Sequence, residues 1–536
     1  MTTAMTADMN EGAGMTDRTT DRRMRRARRA GLAVSVLAVL ASALPATAHA
    51  APEPRAAVAD AARTAPGWCP TVPGHRTDCG SVDRPLVAAR PGLGTIKVSY
   101  AVVRHAGPGP AKGTVAVNPG GPGEVAIDRA EVFAPALAGL LKDHDLLLVD
   151  PRGTGRSGRL PCGVGDAEYR FGTRAAQRDA VERCARTLGP KAAAYTTAAT
   201  ADDLDAVRAR VGVRRLSLYG LSYGTYLMPV YASRHPTRVR SMVLSGAYPL
   251  GFDPLARPSA QAVSLSLRRV CARSVPVACD GKKAVRDLGT TATRLRARPM
   301  TVPVTTGHGR FRVRFTEGKL ANLLYEAASR EVGLAPAEPS LLGRLPHALD
   351  RFAAGDPGPL RTLVREDAAS GGEEDQAPYV AVVCNDYRKA WSKDAPRAER
   401  WRQYRAALAG AGVGAHGAFG ARGFNEGPTD GGDVCIGWPR EGTPHPQPTR
   451  PALPDVPVLV LSGDLDANTP DANGRAAARQ FDDSRFLSVR NTGHVPELEQ
   501  SGCVTGVSTR FLRTGDPGDT SCLRALPPIA VAPVRP

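Results

Sequence analysis

At 536 residues the chain can hold two or three domains. Its 42% hydrophobic and 23% charged residues are the balance of a packed globular protein, which excludes a disordered or fibrous one. The net charge of +18 does not point to nucleic acid, because only nine of the 70 basic residues are lysine and the arginines are scattered rather than gathered into a stripe.

The first element in chain order is an export signal over residues 1–50. Arg22, Arg23, Arg25, Arg26, Arg28 and Arg29 make a positive head, Gly31–Leu44 is apolar, and Ala48-His49-Ala50 is a small-x-small cleavage site before Ala51. That apolar run is too short to span a bilayer comfortably, and no other stretch approaches the ~20 residues required. A secreted chain without membrane insertion is therefore expected. Ten cysteines suit an oxidising compartment. Pairing between neighbours is the simplest arrangement: Cys69–Cys79, Cys162–Cys184, Cys271–Cys279, Cys384–Cys435 and Cys503–Cys522. There is no C-x-x-C, so neither a zinc site nor a redox centre is expected.

Residues 51–90 are rich in Pro and Ala and read as irregular. Thr95–Val103 alternates as an outer strand. Gly113–Val117, Asp145–Val149, Arg215–Tyr219 and Arg240–Leu244 are short apolar runs, as expected of strands covered on both faces. Helices are expected between them, over Thr200–Val211 and Tyr223–Arg234. Strands alternating with helices imply right-handed crossovers and a doubly wound, mostly parallel sheet. The alternation stops over about 251–450, which reads as a large, mainly helical insertion with helices at Lys319–Ser329, Leu341–Ala354 and Arg397–Ala409. It resumes from Pro457 with strands at Val458–Leu461 and Phe486–Val489 and helices at Asp471–Phe481 and Leu498–Leu512. The organisation expected is thus a core in two parts, 51–250 and 451–536, interrupted by a cap over 251–450.

The chemistry gathers at strand ends. The strand ending at Tyr219 runs into Gly220-Leu221-Ser222-Tyr223-Gly224, a sharp turn that lifts a serine hydroxyl to the sheet edge at the head of a helix. Serine is a poor nucleophile unless a base takes its proton and a carboxylate orients that base. The next candidates follow late strands in the order acid, then histidine: Gly463-Asp464-Leu465-Asp466 and Asn491-Thr492-Gly493-His494. That order is the one of α/β-hydrolases, and it assigns Asp466 rather than Asp464 as the orienting acid. His235 sits at a helix end before Pro236 and reads as a solvated side chain. Asn118-Pro119-Gly120-Gly121-Pro122-Gly123 after the second core strand would let backbone N–H groups approach a substrate carbonyl. Asp150-Pro151-Arg152-Gly153-Thr154-Gly155-Arg156-Ser157 lacks the Gly-Lys-Ser/Thr ending of a phosphate loop and reads as a structural rim.

As an ordered set, N-P-G-G-P-G at 118–123, D-P-R-G-T-G-R-S at 150–157, Y-G-L-S-Y-G-T-Y at 219–226, V-C-N-D at 383–386, C-I-G-W-P at 435–439, G-D-L-D-x-x-T-P at 463–470 and G-H at 493–494 resemble the secreted actinobacterial tripeptidyl aminopeptidases, relatives of the prolyl aminopeptidases. The resemblance implies a serine peptidase with catalytic Ser222, Asp466 and His494, an oxyanion hole at Gly121 and Tyr223, and a helical cap restricting entry to peptide ends. It implies no cofactor, peptide N-termini as substrate and a monomer. There are two departures, Glu124-Val125-Ala126 after the glycine loop and Ala467-Asn468 after the acid; neither removes the chemistry, and the first alters the pocket wall and bears on substrate preference. An exopeptidase also needs carboxylates for the substrate ammonium, for which Glu124 and Asp386 are candidates. With His494 acting as a neutral base, activity should fall below about pH 6. A prolyl aminopeptidase or a carboxylesterase would use the same triad, and a secreted binding protein without catalysis is the alternative from another class.

Overall fold

Ten strands form in the computed structural model, which describes residues 66–534 apart from 166–168, 170, 308, 332–337, 371–374, 428–431 and 441–446. The expected export signal lies outside the described residues. The strands are β1 (Thr77–Pro85), β2 (Thr95–Val103), β3 (Gly113–Asn118), β4 (His144–Val149), β5 (Leu216–Leu221), β6 (Val239–Ser245), β7 (Met300–Thr306), β8 (Gly309–Phe315), β9 (Val458–Gly463) and β10 (Ser484–Val489). Eight of them share one sheet in the order β1-β2-β4-β3-β5-β6-β9-β10. β1 pairs with β2 and β2 with β4 antiparallel, whereas the neighbours from β4 to β10 run parallel. Every residue of β5 and β9 is buried, as inner strands covered on both faces must be.

The covering helices in the first part are α1 (Ala130–Ala136), α2 (Arg174–Leu188), α3 (Thr197–Arg210) and α4 (Gly224–Arg234). Successive strand side chains point to opposite faces and so enter different clusters. Ala116, Leu147 and Leu218 pack with α2, α3 and α4. Val115, Leu146, Leu148 and Tyr219 pack instead with α1 and with the last helix, Cys503–Thr514. Helix α3 begins three residues before its expected start, because Thr196 caps it by accepting from the N–H of Ala199.

Between β6 and β9 the chain forms α5 (Arg257–Arg273), α6 (Gly281–Ala297), the β7–β8 hairpin, α7 (Glu317–Ser329), α8 (Leu341–Ala353), α9 (Gly358–Ala369), α10 (Ala377–Asp386), α11 (Arg397–Ala409) and α12 (Ala421–Asn425). Two more helices follow β9 and β10: α13 (Asp471–Ala478) and α14 (Cys503–Thr514). The residues expected to form a single cap belong to two cores. Side chains from Ala260 to Ala368, with Phe419 and Phe424, pack in a cluster of their own that also takes in Leu465 and Ala467. Those of α10 and of Val434–Trp438 pack in the cluster of the main sheet.

Two expectations are corrected locally. Residues 77–85, read as irregular, form β1 and pair along their whole length with β2. As a half-exposed edge strand, β1 lacks the apolar run that marks the inner ones. The mainly helical insertion also holds a hairpin, β7–β8. The last helix starts at Cys503 rather than Leu498 because Glu499 accepts from the N–H groups of Ser501 and Val504 and closes its first turn. Five disulfides join the neighbouring cysteines in the expected pairs.

Candidate active site

Ser222 is the first residue after β5, held at φ +52°. Few non-glycine residues take this left-handed conformation, and one that does at a strand end marks a turn held strained by its surroundings. The turn closes only because Gly220 has no side chain: a Cβ there would stand 2.4 Å from the Gly224 carbonyl oxygen. Ser222 donates its backbone N–H to the Ser245 carbonyl at the end of β6 (2.9 Å). Tyr223 follows with its ring buried, and its backbone N–H stands at the head of α4.

His494 lies five residues beyond β10, and its Nδ1 is 2.9 Å from Asp466 Oδ2. Asp466 is wholly enclosed. Its Oδ1 accepts from the N–H groups of Asn468 (2.7 Å) and Thr469 (3.1 Å), and its Oδ2 accepts from Thr469 Oγ1 (2.6 Å). The same hydroxyl stands 2.9 Å from His494 Nδ1, so Thr469 sits in the angle between acid and imidazole. Asp464 turns away, paired with Arg273 (2.7 Å) and accepting from the Asn491 N–H (2.8 Å). Ser222 and the imidazole converge on the end of β6: a Cβ on Gly246 would stand 3.1 Å from His494 Nδ1, one residue past the carbonyl that Ser222 engages. His494 Nε2 is buried with no hydrogen-bond partner among the described residues. His235 lies elsewhere, 3.0 Å from Asp202.

The charge on this imidazole is set by opposing effects. Burial disfavours the cation, but the Asp466 carboxylate outweighs it, helped by Glu326 and Glu497, and the pKa lies above the ordinary 6.5. Glu497 is half-buried three residues past His494, where it accepts from Tyr219 Oη (2.8 Å) and Ser245 Oγ (2.9 Å) and ties the histidine loop to β5 and β6. Burial pushes its carboxyl up. Because only the neutral imidazole accepts a proton, a raised pKa moves the acid limb of kcat/KM upward, not down to the pH 6 expected from sequence. The limb should have its midpoint above pH 6.5. A pH–rate profile of the purified protein checks this, and a midpoint at 6 or below would show that burial wins.

The glycine loop meets the serine directly. A Cβ on Gly120, whose φ is +111°, would stand 2.8 Å from Ser222 Cβ, so only glycine lets the loop lie this close. Gly121 lines the same cavity as Ser222. Asp150 shapes the following turn: its Oδ1 accepts from the N–H groups of Ala126 (2.8 Å) and Ile127 (2.9 Å), and its Oδ2 from that of Arg156 (2.8 Å). In the same loop Arg152 forms a buried two-pronged pair with Asp203, at 2.8 Å for each bond. The segment 150–157 is thus a scaffold for the wall of the site.

The cavity over Ser222 has a volume of about 210 Å³, and its lining includes Tyr248, Phe252, Tyr379 and Tyr387. A second, polar cavity of about 830 Å³ adjoins it and shares Gly121, Tyr379 and Glu326 as a wall. The two expected ammonium anchors fare differently. Glu124 lines the polar cavity but is paired with Arg129. Asp386 lines neither cavity: it is fully buried at the end of α10, where Thr197 donates to its carboxylate. The carboxylate that lines both cavities is Glu326 on α7, itself paired with Arg330 at 3.5 Å. Its sequence surroundings, an ordinary amphipathic helix, carry no mark of that position. Thr469 was within reach of sequence reasoning, since it is the threonine of G-D-L-D-x-x-T-P.

Family models place this geometry. Residues 113–278 match the alpha/beta hydrolase fold and residues 423–522 match a family described as TAP-like protein. The chain has the α/β-hydrolase fold. This hydrolase is 24% identical over 488 residues to the tripeptidyl aminopeptidase of Streptomyces coelicolor, covering 83% of this chain and 82% of the relative. It is 27% identical to the serine protease Hip1 of Mycobacterium tuberculosis, covering 82% and 85%. It is 29% identical to the carboxylesterase B of the same species, covering 84% and 86%. Among the described residues of the hydrolase, no helix is long and apolar enough to cross a membrane, and no group of three His, Cys, Asp or Glu is placed to hold a metal ion.

Proposed function

We propose that this hydrolase is a secreted serine exopeptidase that releases short peptides, tripeptides foremost, from free N-termini. The observation that carries the reading is the Asp466–His494 pair at the strand ends, beside a serine held at φ +52°. Neutral His494 takes the proton of Ser222 through Nε2, Ser222 Oγ attacks the scissile carbonyl, and the oxyanion develops between the N–H groups of Gly121 and Tyr223. His494 then returns its proton to the leaving amine, and water releases the acyl group by the same path. Five disulfides support export, because such bonds persist in oxidising compartments. The helices over 257–369 serve as the cap that bounds the cavity.

Glu326 takes the role first given to Glu124 and Asp386: facing both cavities, it receives the substrate α-ammonium. Charge-assisted bonds of this kind contribute roughly 1.5–3 kcal/mol. Glu326→Gln should raise KM for unblocked peptides about ten-fold or more and leave ester hydrolysis nearly unchanged. Steady-state kinetics on both substrate types measure the contrast, and equal losses on both would remove Glu326 from this role.

Carboxylesterase activity is the second reading, favoured by the carboxylesterase relative and by a cavity of only about 210 Å³, which suits a small acyl group. Chromogenic peptides of one, two and three residues, each with a free or blocked N-terminus, separate the two when run beside simple esters. Faster turnover of unblocked tripeptides supports the exopeptidase; hydrolysis of esters alone replaces it with the esterase.

A further inference from the structure

A buried polar chain runs from the residue after Ser222 to the end of α10. Tyr223 Oη lies 2.8 Å from Thr197 Oγ1, and Thr197 Oγ1 donates to Asp386 Oδ2 at 2.6 Å. The Thr197 backbone N–H, an orphan donor in the first turn of α3, points to the same oxygen. The single threonine proton goes to the carboxylate, so the threonine oxygen accepts from the phenol. Donation therefore runs Tyr223 to Thr197 to Asp386. None of the three is more than 2% exposed. Asp386 Oδ1 has no hydrogen-bond partner among the described residues. Stability alone gives little reason for this arrangement, since apolar residues of similar volume in place of a buried charge are often neutral or stabilising.

Helix α10 also touches the other half of the oxyanion site. At its first turn, a Cβ on Gly123 would stand 2.9 Å from Pro378 Cβ and 3.4 Å from the Tyr379 nitrogen, so the loop carrying Gly121 rests on this helix. At its far end Cys384 is bonded to Cys435. Asn385 beside it donates to the carbonyls of Ala192 (2.8 Å) and Tyr195 (2.9 Å). A helix of ten residues, about 15 Å long, thus reaches from the glycine loop to the turn that holds Ser222.

We propose that Asp386 is a positioning residue that, through the hydroxyl of Thr197, fixes Tyr223 and so aims the Tyr223 N–H at the oxyanion. The inference rests on the assignment of Ser222 as nucleophile and of that N–H as an oxyanion donor. Such donors act only when held within about 0.5 Å of the productive geometry, and the phenol anchors the residue whose N–H is at stake.

The test uses the full secreted chain and a chromogenic ester, which needs acyl transfer but no peptide specificity. Tyr223→Phe and Thr197→Val should each lower kcat about ten-fold with KM within about two-fold. The double variant should fall no further, because both changes cut one chain of bonds. Thr197→Ser, which keeps the hydroxyl, should retain wild-type kcat. Unchanged kcat in Tyr223→Phe with only a lower melting temperature would overturn the inference, as would additive losses in the double variant. If Thr197→Val does not fold, Tyr223→Phe and Asp386→Asn carry the comparison. Ser222→Ala is run beside them: turnover at the wild-type rate there would sink the nucleophile assignment itself, an outcome distinct from failure of the positioning chain.

Discussion

Replacing Ser222 by alanine should lower kcat/KM by about 10⁴-fold or more while the protein stays folded, because it removes the hydroxyl on which the proposed acyl-enzyme forms. What activity survives would come from binding and from the oxyanion donors acting on water. The backbone makes a second and opposite prediction. At φ +52° any side chain at position 222 is strained, and glycine is not. Ser222→Gly should therefore be as inactive as the alanine variant yet more stable, by on the order of 1 kcal/mol. Thermal melting of the two variants beside the wild type measures this. A glycine variant less stable than the alanine one would show that the turn is relaxed, and a strained nucleophile would no longer describe it.

The Asp466→Asn variant should lose roughly 10³- to 10⁴-fold in kcat near neutral pH, with its fold intact. Asparagine fits the site because its carbonyl oxygen can still accept from the N–H groups of Asn468 and Thr469. Its amide then faces His494 Nδ1 and donates to it, which forces the proton onto Nε2, the atom that must be empty to accept from Ser222. Losing the carboxylate also removes the main force holding the imidazole pKa up, so the acid limb of the residual activity should move to lower pH. Asp464→Asn is the control. Its carboxylate binds Arg273 and the Asn491 N–H, so the cost should appear in stability and hardly at all in kcat. Equal kinetic losses in both variants would mean that the loop, and not the charge on Asp466, is what matters.

The parts of the site legible in the sequence were those encoded by a few consecutive residues. The mostly apolar runs at 113–117, 215–219, 240–244 and 458–461 announce inner strands, because strands covered on both faces take few polar groups and those few, like Ser217 and Ser241, bond each other. A serine between closely spaced glycines announces a turn that only glycine permits. Edge strand β1 went unseen because its half-exposed residues show no apolar run, and the β7–β8 hairpin because its alternation lasts only a few residues within a stretch read as mainly helical.

Side-chain direction across long separations was not written locally. Asp386 and Glu326 both lie on helices of the stretch that sequence alone assigns to one cap. Packing sends α10 into the core of the main sheet and leaves α7 over the cavity. The first carboxylate is thereby buried against Thr197, 189 residues away in the chain, and the second faces the site. The imidazole pKa depends likewise on charges at 326, 466 and 497, whose balance against burial exists only once two loops and a helix have met. The sequence by itself determined the sheet, the sharp turn at Ser222 and the order of the candidate triad, since each follows from short-range sterics and burial. The tertiary structure alone decided which acidic groups line the cavities and which are buried behind them, because that choice depends on how separate helices pack.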